Sequence, residues 1–296
     1  MLGGNELMQH IVVIGAGVMG RGIAYVGAAG GFRVTVADVS LSALESAENE
    51  INATFEKGIA RHKITEQWAY ESKNRLKFAS SLEVAVTEAD LIIEAVPEKA
   101  DIKKQIFEIM EAYAPKHCYF ATNTSTMSPT EIASYAMRPD KTIAMHFFNP
   151  VHKMPLVEII RGLETSDKTT EVIQEVAQKM GKEMVIINEF PGFVTSRISA
   201  LVGKEAFYML QEGLGSLEEI GKAIKHGLHY PMGPFELADL VGLDTRLNNL
   251  RYLYDKLGEK YRPAPLLEQY AKAGRLGRKT GKGVYDYTGD GMVEKT

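Results

Sequence analysis

A histidine and a glutamate in this sequence are spaced so that they could act together as a general base. His146 ends the apolar run 141–146, and Glu158 lies in a second short apolar run, 156–160. If the two runs pair as strands, the two side chains can meet. A histidine can accept a hydroxyl proton near neutral pH, and a carboxylate behind it fixes its tautomer and stabilises the imidazolium. Oxidation of a secondary alcohol needs such a base, together with a hydride acceptor.

Two further polar side chains could contact the reacting group. Ser125 follows the apolar run 118–122, and Asn149 comes shortly after His146. Either can hydrogen-bond an oxygen atom. A purely structural role stays open for His146, because histidines at strand ends are common and seven are present. We find no motif that gives chemistry to His152, His226 or His229, and no spacing of histidines or cysteines that suggests a metal site.

A glycine-rich turn near the start of the chain predicts where the hydride acceptor binds. After the strand-like run 11–14, the glycines have the spacing G-x-G-x-x-G, which permits a tight turn, close approach of a pyrophosphate and close packing of the next helix. The helix N-terminus would then favour the negative charge of the pyrophosphate. The predicted cofactor contacts in this turn are Gly15, Gly17, Val18, Met19 and Gly20.

Asp38 suggests which dinucleotide binds. It follows a second strand-like run, 33–37, where a carboxylate can accept both ribose hydroxyls of NAD and would repel the 2′-phosphate of NADP. The glycine spacing alone also fits FAD or an ordinary strand–helix corner. The strand before it, the helix after it and Asp38 together favour dinucleotide binding.

The composition is that of an ordinary globular protein. The 296 residues, 45% hydrophobic and 24% charged, are enough for two domains. A net charge of -4 gives no argument for nucleic acid binding, and no apolar run is long enough to span a membrane. Cys118 is the only cysteine, which excludes an intramolecular disulfide, and we expect it to be buried rather than nucleophilic. The first nine residues resemble no targeting segment, so we expect a cytoplasmic protein.

Alternating strand and helix signals predict an α/β fold of the Rossmann type, a doubly wound sheet. After the first two strands, helical patterns at 41–61 and 65–73 predict a helical hairpin inserted into the sheet. Further strands are predicted at 90–96, 118–122, 141–146, 156–160 and 184–187. We also expect one helix capped by Asp101, a short one that starts at Ile132, and one over 168–180.

The tip of the inserted hairpin is basic. Lys57, Arg61 and Lys63 gather there. On the residues alone, a solvated helix end is the simpler interpretation, and a site for an anionic substrate tail is the alternative.

The pattern changes at Pro191-Gly192. From 196 to 273 it is helical throughout, and strand-like alternation returns only at 283–287. We therefore predict an NAD-binding Rossmann domain at 1–189 and an all-helical C-terminal domain at 190–296. The helices of this C-terminal domain contain more leucines than solvated helices require, which predicts packing within the domain or against a second subunit.

Several motifs resemble the L-3-hydroxyacyl-CoA dehydrogenase family, most closely its free-standing bacterial 3-hydroxybutyryl-CoA type. They are GAGVMGRGIA at 15–24, IEAVPE at 93–98, NTS at 123–125, HFFNP at 146–150, LVE at 156–158, PGF at 191–193, GPFELADLVGLD at 233–244 and GRKTGKG at 277–283. The resemblance covers nearly the whole chain. It implies NAD-dependent oxidation of a 3-hydroxyacyl-CoA to the 3-ketoacyl-CoA by reversible hydride transfer, in a homodimer formed by the helical domain.

The resemblance also assigns roles to residues. It implies that His146 is the general base, Glu158 its partner, and Ser125 and Asn149 contacts of the reacting group and the nicotinamide. The implied cofactor contacts are Asp38, Glu98, Lys103, Ser125, Asn149 and Lys279. The implied substrate contacts are Thr54, Lys57, Arg61, Ser125 and Ser196, which makes the basic hairpin tip a coenzyme A site.

One position departs from the family pattern, and two alternative functions stay open. Ser196 stands where the family commonly has asparagine, which leaves substrate positioning and chain-length preference undecided. One alternative is a dehydrogenase of a free 3-hydroxy acid, carnitine-like or gulonate-like, because such enzymes share the fold and the His–Glu pair. The other is a catalytically silent NAD-binding protein, although such a protein would not need His146, Glu158, Ser125 and Asn149.

Overall fold

A computed structural model describes residues 8–288 of the chain. Contacts divide it into two compact units, one ending at Phe190 and one beginning at Pro191. The first unit contains the sheet, and the second is built from helices. None of the helices in the described part of the chain combines the length and the apolar character that crossing a membrane requires.

The first unit is organised around one eight-stranded sheet. Its strands are β1 (His10–Ile14), β2 (Arg33–Ala37), β3 (Leu76–Ala79), β4 (Leu91–Glu94), β5 (Tyr119–Thr122), β6 (Thr142–Phe147), β7 (Leu156–Arg161) and β8 (Glu183–Asn188). Their spatial order is β3-β2-β1-β4-β5-β6-β7-β8, and every neighbouring pair is parallel except the antiparallel pair β6–β7. The predicted doubly wound sheet of the Rossmann type is confirmed.

Helices cover both faces of this sheet. They are α1 (Val18–Ala29), α2 (Leu41–Ala60), α3 (Glu66–Lys73), α4 (Leu82–Ala85), α5 (Ala100–Tyr113), α6 (Pro129–Ala133) and α7 (Asp167–Lys179). The central strands are buried on both faces, which explains their continuous apolar runs. The predicted hairpin insertion is α2 followed by α3, whose N-caps Ser40 and Thr65 each accept a backbone N–H.

Some local predictions were wrong. Strand β3 was missed, because it has only four residues, stays partly exposed at the edge of the sheet and has Lys77 between its apolar residues. Asp101 does not cap α5; the N-cap is Lys99, and Asp101 lies in the first turn. The short helix does not start at Ile132 but at Pro129, after the N-cap Ser128, because proline fits the first helical position.

The second unit consists of α8 (Thr195–Gln211), α9 (Leu217–Lys222), α10 (Pro234–Val241), α11 (Leu243–Leu257) and α12 (Pro265–Lys272). A π-helical segment, Ala223–Gly227, follows α9. Several of this unit's leucines, among them Leu243, Leu247 and Leu250, fill its own core together with Phe207. The strand-like pattern at 283–287 forms no strand. Instead, Val284 and Tyr285 donate their backbone N–H groups to the buried carboxylate of Asp239.

Candidate active site

The glycine-rich turn connects the buried strand β1 to α1. Gly15 has a φ of 106°, a conformation that side chains rarely adopt. A Cβ on Gly20 would collide with the carbonyl oxygen of Gly15, so α1 can approach the strand only with glycine there. A Cβ on Gly17 would meet nothing within 4 Å. Gly17 is the exposed N-cap of α1, whose first turn has no acidic residue, so this helix end is open to an anionic group.

Asp38 is held against this turn. Its Oδ2 accepts the backbone N–H of Ala16 at 2.8 Å, and its Oδ1 accepts that of Ser40 at 2.9 Å. The carboxylate therefore has a fixed orientation at the end of β2, next to the open N-terminus of α1. An acid at this place and an unobstructed helix N-terminus fit the ribose and pyrophosphate of NAD.

His146 and Glu158 meet as the sequence predicted. Strands β6 and β7 pair antiparallel, with His146 directly opposite Glu158, so the two side chains lie on the same face. His146 Nδ1 is 2.7 Å from Glu158 Oε2. His146 is 7% exposed and Glu158 is fully buried. The ring of Phe148 lies 4.5 Å from the His146 ring, so the imidazole is held by a carboxylate and by packing.

The loop after β5 brings Ser125 into a fixed position. Asn123 Oδ1 accepts the backbone N–H of Phe147, which ties the end of β5 to the end of β6. Glu98 Oε1 accepts hydrogen bonds from Thr124 Oγ1 and from the backbone N–H of Ser125, each 2.6 Å long. Ser125 Oγ lies 3.2 Å from the same oxygen. Ser125 and Glu98 thus occupy one hydrogen-bonded cluster at the carboxyl end of the sheet, where such folds bind ligands.

Lys103, a buried residue of α5, contacts Glu98. Its Nζ is 2.8 Å from both carboxylate oxygens of Glu94 and 3.1 Å from Glu98 Oε2. Burial by itself raises the pKa of Glu98, but the Lys103 charge and the hydrogen bonds from Thr124 and Ser125 outweigh it and lower the pKa below its ordinary value. The sequence analysis assigned no role to Glu94. The feature of the sequence that could have indicated one is a carboxylate at the end of an otherwise apolar, buried strand.

The predicted coenzyme A contacts lie on the inserted hairpin. Thr54 Oγ1 donates to the Glu50 carbonyl one turn earlier, and Lys57 and Arg61 are exposed at the end of α2. Burial lowers the pKa of His152, and the charges of Lys153, Lys182 and Lys57 lower it further. His152 belongs to the loop that also carries Asn149.

Asn149 itself is exposed in this loop, directly after Phe148. The loop is anchored by Lys182, whose Nζ donates to the carbonyl of Met154 at 2.8 Å and also to that of Val151. Asn149 therefore extends from an anchored segment next to the His146–Glu158 pair.

Two predicted site residues belong to the second unit. Ser196 lies in the first turn of α8. Lys279 Nζ is 2.6 and 2.7 Å from the two carboxylate oxygens of Asp244, which orients its ammonium group. Their contacts with substrate and cofactor stay predictions.

Burial raises the pKa of the Cys118 thiol to about 12, so this cysteine stays protonated and unreactive at neutral pH, as expected. Between residues 8 and 288, no group of three or more histidine, cysteine or acidic side chains is arranged to hold a metal ion.

Comparison with known proteins identifies the family. Residues 10–190 match the model of the 3-hydroxyacyl-CoA dehydrogenase NAD binding domain, and residues 192–287 match that of the 3-hydroxyacyl-CoA dehydrogenase C-terminal domain. A probable 3-hydroxybutyryl-CoA dehydrogenase of Bacillus subtilis is 43% identical over 95% of this chain and 98% of its own length. The 3-hydroxybutyryl-CoA dehydrogenase of Bradyrhizobium diazoefficiens is 42% identical over 96% and 97%.

A solved structure agrees with this result. The crystal structure of (S)-3-hydroxybutyryl-CoA dehydrogenase from Ralstonia eutropha superimposes with a TM-score of 0.91 at 39% identity, over 95% of this chain and all of the other. The family models together match almost every residue that the structure describes. This chain therefore belongs to the 3-hydroxyacyl-CoA dehydrogenase family and carries that family's NAD-binding domain.

Proposed function

We propose that this enzyme oxidises L-3-hydroxyacyl-CoA, with 3-hydroxybutyryl-CoA as the short-chain substrate, to the 3-ketoacyl-CoA, and that it also catalyses the reverse reduction. The observation that carries this proposal is the buried 2.7 Å contact between His146 and Glu158. A neutral imidazole held by a buried carboxylate is suited to take the proton of the substrate hydroxyl.

The chain's own residues supply proton transfer and orientation. Glu158 keeps the Nδ1–H tautomer of His146, which leaves Nε2 as the proton acceptor, and it stabilises the imidazolium that forms. Ser125 and Asn149 hydrogen-bond the reacting oxygen and orient the cofactor. When bound, NAD supplies the hydride acceptor. In the reverse direction the imidazolium returns its proton to the ketone oxygen.

The CoA part of the substrate distinguishes this function from oxidation of a free 3-hydroxy acid. The relatives' names point to CoA thioesters, and Lys57 and Arg61 are exposed cations at the end of α2, accessible to an anionic group. The deciding experiment compares acetoacetyl-CoA with free acetoacetate, followed by NADH absorbance, and then varies acyl length. Equal efficiency with free acetoacetate would contradict the CoA assignment.

Removing two cations from the hairpin should weaken binding of the acyl-CoA and not that of the cofactor. We expect Lys57→Ala/Arg61→Ala to raise KM for acetoacetyl-CoA about five- to 30-fold, by losing roughly 1–2 kcal/mol of attraction to its phosphates, while KM for NADH stays unchanged. The effect should shrink as salt is added, because exposed charges are screened.

A matched control removes two exposed lysines elsewhere in the same unit. Lys104 and Lys168 make only long surface ion pairs, of 4.0 and 3.9 Å. Lys104→Ala/Lys168→Ala changes the net charge equally and should leave both KM values unaltered. If the two double variants behave alike, the hairpin cations are solvated residues with no substrate role.

We also propose that the helical unit forms a homodimer. Val194 and Ile198, four residues apart, and the adjacent Leu240 and Val241 keep 41–53% of their surface exposed, and neighbouring exposed apolar side chains are typical of an interaction surface. Val194 and Ile198 also line an apolar cavity of about 360 Å³, together with Met232, Leu237 and others.

The dimer can be tested by placing a charge on this surface. Ile198→Glu should give monomers in light scattering after gel filtration, because a charged side chain cannot be buried without a partner. Leu163→Glu, at an 84% exposed position in the first unit, is the control and should stay dimeric. A monomeric unaltered protein would refute the proposal.

A further inference from the structure

The helical unit contains a buried cation that lacks a carboxylate partner. Arg246 lies in the first turn of α11 and is only 5% exposed. Its Nη1 donates to the carbonyl oxygen of Ser199 at 2.7 Å and to the Ser199 hydroxyl oxygen at 2.9 Å. Its Nε is buried and has no hydrogen-bond partner. Among residues 8–288, no acidic side chain forms an ion pair with this guanidinium.

The charge of Arg246 therefore has no counter-ion in the described part of the chain. Buried charges in proteins are normally paired, because removing an isolated ion from water is costly. Burial lowers the pKa of Arg246 to about 10, so the guanidinium still carries its charge at neutral pH. The carbonyl and hydroxyl oxygens of Ser199 offer only partial negative charges.

Helix α8 holds the guanidinium in place. A Cβ on Gly203 would lie 3.1 Å from Arg246 Nη1 and 3.3 Å from its Cζ, closer than side-chain carbons normally approach. Ser199 lies one turn before Gly203, so both residues belong to the same face of α8. One of them supplies two hydrogen-bond acceptors, and the other leaves room for the guanidinium. The position of Arg246 is thus fixed by the sequence of α8.

The guanidinium belongs to the wall of the apolar cavity of about 360 Å³. The rest of this wall is almost entirely apolar and includes Val202, Tyr230, Met232 and Leu237. Of the described residues that line the cavity, Arg246 is the only charged one. Cavities of about 300–1,000 Å³ bind small molecules. At roughly 30 Å³ for each water-sized group, this one has room for about a dozen such groups.

We propose that this cavity binds a small amphiphilic monocarboxylate, whose carboxylate pairs with Arg246 and whose apolar chain lies against the apolar wall. A single cation in an apolar wall selects one negative charge, because a second anionic group would be buried without a partner. Octanoate, a carboxylate on a short alkyl chain, is a probe of this class. The inference concerns the helical unit alone and rests on neither the proposed substrate nor the cofactor.

A second copy of the chain is the alternative source of the counter-ion. Val194 and Ile198 belong both to the wall of the cavity and to the surface that we propose for the dimer. A ligand inside the cavity is compatible with a second chain over its opening. It is not compatible with a carboxylate of that second chain in contact with Arg246, so the two sources can be distinguished.

The test titrates the full chain with octanoate in a calorimeter. Octanoate should bind at one molecule per chain. Arg246→Met keeps a long apolar side chain and removes the charge, so it should raise the Kd for octanoate about tenfold or more, as loss of a charged hydrogen-bond partner typically does. 1-Octanol has the same chain and no charge, and its Kd should not differ between the unaltered protein and Arg246→Met.

Two further variants serve as controls for charge and for location. Arg251 lies on the same helix, where its side chain is 53% exposed and its Nη2 is 3.0 Å from Glu268 Oε1. Arg251→Met removes an equal charge outside the cavity and should leave the Kd for octanoate unchanged. Val202→Phe keeps Arg246 and fills the cavity, so it should abolish octanoate binding. Should Arg246→Met fail to fold, this loss in Val202→Phe is still required.

The possible results separate the ligand from the second chain. The inference is wrong if the unaltered protein does not bind octanoate, or if Arg246→Met or Val202→Phe binds it as tightly as the unaltered protein does. The oligomeric state in light scattering should not change when octanoate is added. If octanoate instead converts dimers into monomers, the second chain supplies the counter-ion and the inference fails. A lack of turnover with acyl-CoA would contradict the proposed function and leave these binding results unaffected.

Discussion

Replacing His146 with alanine should lower kcat for 3-hydroxybutyryl-CoA by roughly 10²–10⁴-fold, the range typical of losing a general base. The fold should persist, and the Kd for NADH should stay within about threefold of the unaltered value, because the Gly-rich turn and Asp38 are untouched. Stopped-flow turnover and direct NADH titration measure the two quantities separately. Near-normal turnover in His146→Ala would show that the proposed mechanism is wrong.

A second buried histidine provides the control. His10 is 8% exposed, with Nδ1 at 2.9 Å from the Glu88 carbonyl and Nε2 at 2.9 Å from Thr35 Oγ1. It lies at the beginning of β1, at the opposite end of the sheet from the candidate site. His10→Gln should lower Tm and leave kcat nearly unchanged, so that loss of a buried imidazole is distinguished from loss of the base.

Glu158 should act only through His146. Glu158→Gln should therefore lower kcat, and the double variant His146→Ala/Glu158→Gln should be little worse than His146→Ala alone. If the losses in kcat of the two single variants add up in the double variant, Glu158 does not act through His146.

The second large effect concerns the choice of cofactor. The unaltered protein should prefer NAD to NADP by roughly five- to 160-fold, because a carboxylate beside a phosphate dianion costs about 1–3 kcal/mol. Asp38→Asn removes the charge and keeps an acceptor oxygen for one of the two backbone N–H groups, of Ala16 or of Ser40, that the carboxylate accepts. It should lower the ratio of kcat/KM for NAD to that for NADP at least about fivefold.

The control for Asp38 is another aspartate that accepts two backbone N–H groups, in this case both on one oxygen. Asp90 Oδ2 accepts the backbone N–H groups of Gln9 and His10 at 2.8 and 2.9 Å. Asp90→Asn should leave the cofactor ratio unchanged. Equal use of NAD and NADP by the unaltered protein would refute the role of Asp38.

Local patterns in the sequence were sufficient for much of the fold. Buried parallel strands need continuous apolar runs, so β1, β4 and β6 could be recognised, and the G-x-G-x-x-G spacing marked the turn after β1. Helix starts were harder to predict. The helices expected to begin at Asp101 and at Ile132 both begin a few residues earlier, because several nearby residues can begin a helix and packing decides among them. The edge strand β3 has too little burial to leave an apolar signature.

For the candidate site, too, the sequence determined one part and the tertiary structure the other. The sequence by itself determined the residue types for the chemistry: the glycine turn with Asp38, and a histidine and a glutamate in two short apolar runs. Only the tertiary structure decided that those runs pair antiparallel with His146 opposite Glu158, because register depends on contacts between strands and not on either strand alone. It also decided that Lys103 lies between Glu94 and Glu98. No local pattern encodes that network, since its members come together only when β4, α5 and the loop after β5 pack.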